Sequence, residues 1–400
     1  MEKIIGVMYF ILSVVVIFLL CYLVSFDRKS IKYKQCLRVI IAQLIIAYML
    51  MKSDVGIKIT LLFSSFFTKL ISYANQGIDF LLGGIIKNST HFIFLVNALL
   101  PIIFVSALIG IMHYFRILPF LARVLGSVLN FIIGAGKLEC FNAVSSMCVG
   151  QSENLIIYKD ILHKFDKRAI YTITATSMSM VSLSILCSYI KIIDPKYICI
   201  ALPLNIMGVF FVLGIINPNT SEYELSNEIK TLGFDRSLSF FDVIGSYMLT
   251  GLKIVLNISA IVIGFIALIS MLNDVFTYFI GISFQDLISY LFVPFIRLWN
   301  VSSIDSNIVS KIVSTKVFSN EIVAMLYMKE QVDLLSHRAI VMTSIFLVSF
   351  ANIGSIGIIF GVIKSFTNNS SRIFSKTALK VLYSATLVSY LSACVVGVFI

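Results

Sequence analysis

Long apolar runs alternate with short polar segments along the whole chain, and the alternation predicts an all-α polytopic membrane protein. Residues 4–24, 39–51, 92–115, 169–193, 197–216, 252–272, 338–363 and 377–400 read as eight transmembrane spans. The first of them is too long for a signal-peptide core and lacks a small-residue cleavage site, so it is expected to be retained as a span. Residues 57–72 mix apolar and polar positions in a way that suits an interfacial helix. Two further stretches, 131–162 and 284–328, are too polar for a lipid-facing span. Each is expected to enter and leave on one face as a re-entrant hairpin, tolerated at depth only where its tip is buried in protein or lines a wet cavity. The second is expected to break at residues 309–316. Hairpins entering from opposite faces imply an inverted repeat with a binding site near the midplane, where the tips meet.

Charge fixes the expected orientation. Arg28, Lys29, Lys32, Lys34 and Arg38 follow the first span, and later clusters are Arg116 with Arg123, Lys159 with Lys164, Lys167 and Arg168, and Lys364 with Arg372 and Lys376. By the positive-inside rule these loops are cytoplasmic, as is the polar stretch 217–236; the turn Asp194-Pro195-Lys196 and both termini are then outside. The net charge of +11 could suggest nucleic acid, but basic residues confined to short inter-span clusters orient a membrane protein instead, and no nucleic-acid partner is expected. A chain that is 59% hydrophobic and 13% charged, with mean hydropathy +0.99, takes lipid as its solvent. The seven cysteines are scattered without a CxxC pair, which indicates neither a disulfide framework nor a metal site; no cofactor is expected.

Few polar residues fall inside apolar segments, and these carry the candidate chemistry. Glu153 and Glu321 are expected at matched places in the two hairpins, where an ionisable group costs roughly 2–4 kcal/mol unless it faces a cavity or partner. The alternative is a capping role at half-helix N-termini, shared with Ser152 and Ser319. Glu139, two residues after Lys137, reads as a surface or structural ion pair. In the run 350–357, Asn352 beside Gly354, Ser355 and Gly357 marks a span whose helix is broken, because an amide at lipid depth needs partners. His91, His113, His163 and His337 read as solvated residues at span ends, and Trp299 as an interface anchor.

Taken in order, Gly136-Lys137-Leu138-Glu139-Cys140-Phe141-Asn142-Ala143, Gly150-Gln151-Ser152-Glu153-Asn154, Ser319-Asn320-Glu321-Ile322-Val323-Ala324 and Phe350-Ala351-Asn352 with Ser355-Ile356-Gly357 resemble the concentrative nucleoside transporters, most closely the short bacterial NupC-type branch. The resemblance implies a nucleoside:cation symporter in the bacterial inner membrane, a homotrimer, and an elevator-type fold. On that plan residues 1–130 and 219–283 are mostly scaffold, while 131–218 and 284–400 form the transport domain. It also implies substrate contacts, with nucleosides such as uridine, cytidine and adenosine, from Gln151, Ser152 and Glu153 towards the base and from Glu321, Asn352 and Ser355 towards the ribose. Ile185 and Phe350 would add apolar contact, with plain packing the close alternative for Ile185. A ribose diol suits carboxylate and amide acceptors, and a Gln amide suits a base edge.

One departure bears on the coupling ion. Sodium-coupled members have Asn where this chain has Ser146 and a small hydroxyl residue where it has Met180. A site built from Ser146, Val149, Met180 and Val181 is short of oxygens for a hard cation, so proton coupling through Glu153 or Glu321 is expected. Sodium coupling is the alternative within the class. A nucleoside receptor or channel that does not pump, and an integral-membrane enzyme, are the alternatives outside it; no phosphate-binding loop and no metal cluster favours the latter.

Overall fold

The computed structural model describes residues 2–86, 93–159, 161–218 and 239–400. His91, Phe92 and most of the 217–236 loop lie outside them. The first third contains α1 (Glu2–Leu23), α2 (Tyr33–Lys52), α3 (Asp54–Ile86), α4 (Pro101–Tyr114) and α5 (Ile117–Ile133). Residues 57–72 thus belong to a 33-residue helix, α3, which has the length and composition of a span.

The next elements are α6 (Lys137–Val149), α7 (Gln151–Ile157), α8 (Lys167–Ser179), α9 (Leu183–Ile190) and α10 (Pro195–Ile216). A second series follows: α11 (Phe240–Ile280), α12 (Phe284–Ser289), α13 (Val293–Arg297), α14 (Ser303–Phe318), α15 (Glu321–Glu330), α16 (His337–Leu347), α17 (Ile353–Phe366) and α18 (Asn368–Gly397). Among the described residues eight helical stretches are long and apolar enough to cross a membrane. They do not coincide one for one with the eight expected: α3 is included, whereas 338–363 is divided into α16 and α17.

The two hairpins are α6–α7, turning at Gly150, and α14–α15, turning at Ser319 and Asn320. Residues 309–316, expected to hold the second break, are helical. Their hydroxyls bond back to the preceding turn, Ser310 to Ser306 O at 2.6 Å and Thr315 to Lys311 O at 2.8 Å, which satisfies polar groups without interrupting the helix. The span expected at 169–193 is in turn broken, at residues 180–182, and the span at 338–363 at 348–352. Hairpin, half-helix, break, half-helix and long helix therefore occur twice. Gln151 and Glu321, Lys167 and His337, and Leu183 and Ile353 begin corresponding helices, each pair separated by the same offset of 170 residues.

This register places Met180 and Phe350 at equivalent positions, and the Phe350 N–H donates to the Met180 carbonyl at 3.1 Å. The two breaks satisfy each other where neither helix can. Asn205 on α10 donates to Val348 O at 2.6 Å, closing a further open carbonyl of the second break. The register also corrects the matching of carboxylates: Glu321 opens α15 but Glu153 is the third residue of α7, so Glu321 is the counterpart of Gln151.

α8, α10, α16 and α18 form the centre. Of the apolar window of α10, 94% of residues are buried, against 11% for α11, so α11 lies on the outside of the single chain. Three of the loops with expected cytoplasmic charge meet at one end with residues 216–217: Phe26 N bonds Ile216 O at 2.8 Å, Asn217 bonds Arg168 O at 3.0 Å, and Ser370 bonds Leu162 O at 3.1 Å. At another point of the bundle Arg338 bonds Trp299 O at 2.8 Å and Ile400 O at 3.3 Å. Trp299 is not an interface anchor; it is buried and stacked on Tyr390, with centroids 5.7 Å apart. His113 is not simply solvated either, since its Nδ1 lies 3.0 Å from the Tyr247 hydroxyl and joins α4 to α11. Glu139 accepts from Gly136 N at 3.3 Å and closes the N-terminus of α6.

Gly150 is required by geometry. Its φ of 105° and ψ of 171° fall in a region open essentially to glycine, and a Cβ there would lie 2.9 Å from Ser182 Cβ at the first break. Gly150→Ala is expected to destabilise the protein by about 1–3 kcal/mol. Gly357→Ala, where a Cβ meets nothing within 4 Å, leaves thermal stability unchanged or slightly raised. Melting curves of the two purified variants check the difference; equal melting temperatures would contradict the tip geometry.

Candidate functional site

Both hairpin tips and both breaks open onto one cavity of about 120 Å3. All eight residues singled out as ligand contacts border it: Gln151, Ser152, Glu153, Ile185, Glu321, Phe350, Asn352 and Ser355. Their convergence follows from the crossed repeats. The first turn of α7 meets α17, where Gln151 Nε2 donates to Ser355 Oγ at 3.2 Å, and the first residue of α15 meets α9, where Tyr189 donates to Glu321 Oε1 at 2.8 Å.

Glu321 is 5% exposed and held from two sides, because Asn352 Nδ2 donates to its other oxygen at 2.7 Å. Asn352 Oδ1 in turn accepts from Ser355 N at 2.7 Å and caps α17. Glu321 is not the N-cap residue of α15, although its carboxylate also meets its own backbone N–H. Asn320 caps α15, accepting from Val323 N at 2.9 Å, and leaves the carboxylate free for side-chain partners. One hydrogen-bonded chain therefore runs Tyr189, Glu321, Asn352, Ser355, Gln151 and joins four helices from both repeats. At its far end the buried Gln151 Oε1 has no partner, a lone acceptor beside the cavity. A buried carboxylate with spare lone pairs and an unpaired amide oxygen suit a ligand that brings several hydroxyl and N–H donors.

Apolar walls complete the site: Ile185 from α9, Phe350 from the second break, and Ile254, Ile258 and Ile261 from α11. Sequence reasoning missed Tyr189, which looks like one more aromatic of an apolar run, and Ser182 and Asn320 beside the tips. It also missed Asn257, an amide in mid-span whose polarity among isoleucines was the available signal.

The four positions considered for sodium lie behind the tip of the first hairpin. Ser146 Oγ is 3.1 Å from Ser177 Oγ, Ser146 O accepts from Gly150 N at 3.0 Å, and the Met180 carbonyl is the one engaged by Phe350. Val181 is buried beside it and Val149 ends α6. Nearby, Asn154 Nδ2 donates to Asn142 Oδ1 at 2.7 Å and to Ser177 Oγ at 3.0 Å, so a buried amide and hydroxyl network backs the hairpin.

Residues 197–397 match the family profile described as "Na+ dependent nucleoside transporter C-terminus", residues 12–85 its N-terminal counterpart, and residues 95–196 a profile described as "Nucleoside recognition". The chain belongs to the concentrative nucleoside transporter family. Relatives include the purine nucleoside transport protein NupG of Bacillus subtilis, 33% identical with 98% of this chain and 100% of NupG covered. The nucleoside permease NupC of Helicobacter pylori is 22% identical, with 98% and 97% covered. The fold of this transporter matches that of CNTnw in an inward-facing substrate-bound state, with a TM-score of 0.90 at 22% identity over 98% of each chain. An outward-facing CNTnw variant gives 0.91 over 98% of each chain, again at 22% identity.

Tyr189→Phe removes one of the two donors that orient Glu321. Nucleoside affinity of this transporter is expected to fall about tenfold, the scale of one hydrogen bond to a charged group at about 1.5 kcal/mol. Calorimetry on the purified protein checks it, and an unchanged affinity would separate Tyr189 from the site.

Proposed function

We propose that this transporter is a nucleoside:proton symporter that imports nucleosides across the bacterial inner membrane. The observation that carries the reading is the Tyr189–Glu321–Asn352–Ser355–Gln151 chain bordering a single cavity. Glu321, Asn352 and Ser355 receive the ribose hydroxyls, and Gln151, Ser152 and Glu153 address the base. Ile185 and Phe350 flank the base with apolar surface. A relative named for purine nucleosides favours adenosine among the substrates, alongside uridine and cytidine.

Proton coupling is supported by the residues at the four sodium positions. Met180 supplies a thioether where a hard cation needs oxygen, its carbonyl already accepts from Phe350 N, and Ser146 is turned to Ser177. The proton carrier is then Glu153 or Glu321, protonated on the outward side and released inward. Residues 131–218 and 284–400 move together as the transport domain against a scaffold of 1–130 and 219–283, in an elevator movement within a homotrimer. The exposed apolar surface of α11, where only Gly251 and Val255 are buried in the single chain, supports a scaffold role for that helix.

Counterflow of labelled uridine or adenosine in proteoliposomes tests transport, and absence of counterflow with folded protein would contradict it. Uptake at fixed pH should be unchanged when choline replaces sodium and should collapse when the proton gradient and membrane potential are dissipated. Uptake that rises with sodium and ignores an imposed pH gradient would overturn the proton assignment alone. Glu321→Gln is expected to abolish ribonucleoside uptake, while Gln151→Ala lowers it more mildly, because a charged acceptor of two hydroxyls outweighs a neutral amide contact. Equal, mild losses would count against the ribose role.

A further inference from the structure

Lys316 is the one fully buried lysine among the described residues. It lies in the last turn of α14, across the hairpin tip from Glu321. Its Nζ donates to Phe346 O at 2.5 Å, Ser349 Oγ at 2.7 Å and Ser389 Oγ at 3.3 Å, and stands 4.2 Å from the centroid of the Phe346 ring. These contacts join the second hairpin to the end of α16, to the second break and to α18. Neither the Lys196–Asp194 nor the Lys311–Asp286 ion pair includes it, and the charged group it feels is the buried Glu321 carboxylate beyond these contacts.

Burying an ammonium costs several kcal/mol unless its surroundings replace water. Three N–H donors meet three neutral oxygens, and the Phe346 carbonyl belongs to the last turn of α16, the negative end of that helix dipole. An aromatic face completes the shell. Such a shell of carbonyl, hydroxyls and ring suits a free monovalent cation that brings its own N–H donors, a small ammonium. Ser146 and Lys316 both lie in the last turn of the first arm of their hairpin, and there the first hairpin carries the Ser146–Ser177 hydroxyl pair, 3.1 Å apart. The halves agree in backbone and differ in charge.

We propose that Lys316 is a tethered cation, which occupies in the second hairpin the place of an exchangeable monovalent ion. It is a positioning residue. Its ammonium clamps α14 to the second break, and the break ends in Asn352, which holds Glu321. Because a tethered ion cannot leave, the second hairpin stays docked to its break through the transport cycle, and any exchange of a coupling cation is confined to other groups. The affinity arm of the following test rests on the nucleoside reading, whereas the stability arm does not.

In detergent-purified full-length protein, Lys316→Ala opens a cavity for a free amine and Lys316→Met removes the charge at similar volume. Methylammonium chloride should raise the melting temperature of Lys316→Ala by several degrees over the same concentration of choline chloride, with no such difference for the native protein. Adenosine affinity should fall tenfold or more in Lys316→Met and recover most of the way in Lys316→Ala plus methylammonium. A Lys316→Ala protein indifferent to methylammonium, or a Lys316→Met protein binding adenosine within twofold of native, overturns the proposal. Should both variants fail to fold, Ser389→Ala keeps the charge and removes one acceptor: a severalfold loss of affinity supports the clamp, and native affinity overturns it. If the native protein binds neither adenosine nor uridine, the nucleoside reading fails and the melting comparison alone decides the tethered cation.

Discussion

A polypeptide that stops being helical at membrane depth must find partners for its freed N–H and C=O groups, and everything functional in this transporter is arranged around that requirement. The chain breaks two of its central spans, at 180–182 and 348–352, and repairs each with the other through the bond from Phe350 N to Met180 O. Asn205 takes a further carbonyl of the second break, that of Val348. The repair brings the two repeats face to face, so residues as distant in sequence as Gln151 and Ser355, or Tyr189 and Glu321, become neighbours. The cavity is the space left where the tips and breaks cannot close completely.

The side chains make unequal use of this nearly symmetric backbone. One hairpin opens on a neutral amide, Gln151, and the other on a carboxylate, Glu321, at the same register position. One break is backed by hydroxyls and the other by an ammonium. Such asymmetry gives a ligand two distinct ends to recognise: a charged acceptor at one side, a neutral acceptor at the other, and apolar walls between them. A nucleoside, with a diol on one ring and a hydrogen-bonding edge on the other, has the matching polarity.

Much of this could be read from the sequence because lipid is an unforgiving solvent: polar groups in apolar runs stand out, and Glu153, Glu321 and Asn352 drew attention by position, whereas Gln151 came from the family resemblance. What escaped is equally physical. The break at 180–182 carries neither Gly nor Pro, and its surroundings, Thr172 to Ser184, conceal it among hydroxyls that also occur in unbroken helices. The reverse error at 309–316 has the same origin, since Ser310 and Thr315 satisfy themselves against the preceding turn. Trp299 resembles an interfacial residue until its stacking on Tyr390 is known, and Tyr189 has no feature that marks it as a partner of a residue 132 positions away. The repeat itself was only partly legible, because the helices keep a common register while the residues on them have diverged.

The most direct test of the account is a structure of the protein with adenosine bound, determined by electron cryomicroscopy in lipid nanodiscs. The account predicts nucleoside density between the two hairpin tips, with the ribose hydroxyls within hydrogen-bonding distance of Glu321 and Asn352 and the base edge within reach of Gln151. Density at any other place, or a ribose turned away from Glu321 while the breaks remain joined at Phe350 and Met180, would contradict it.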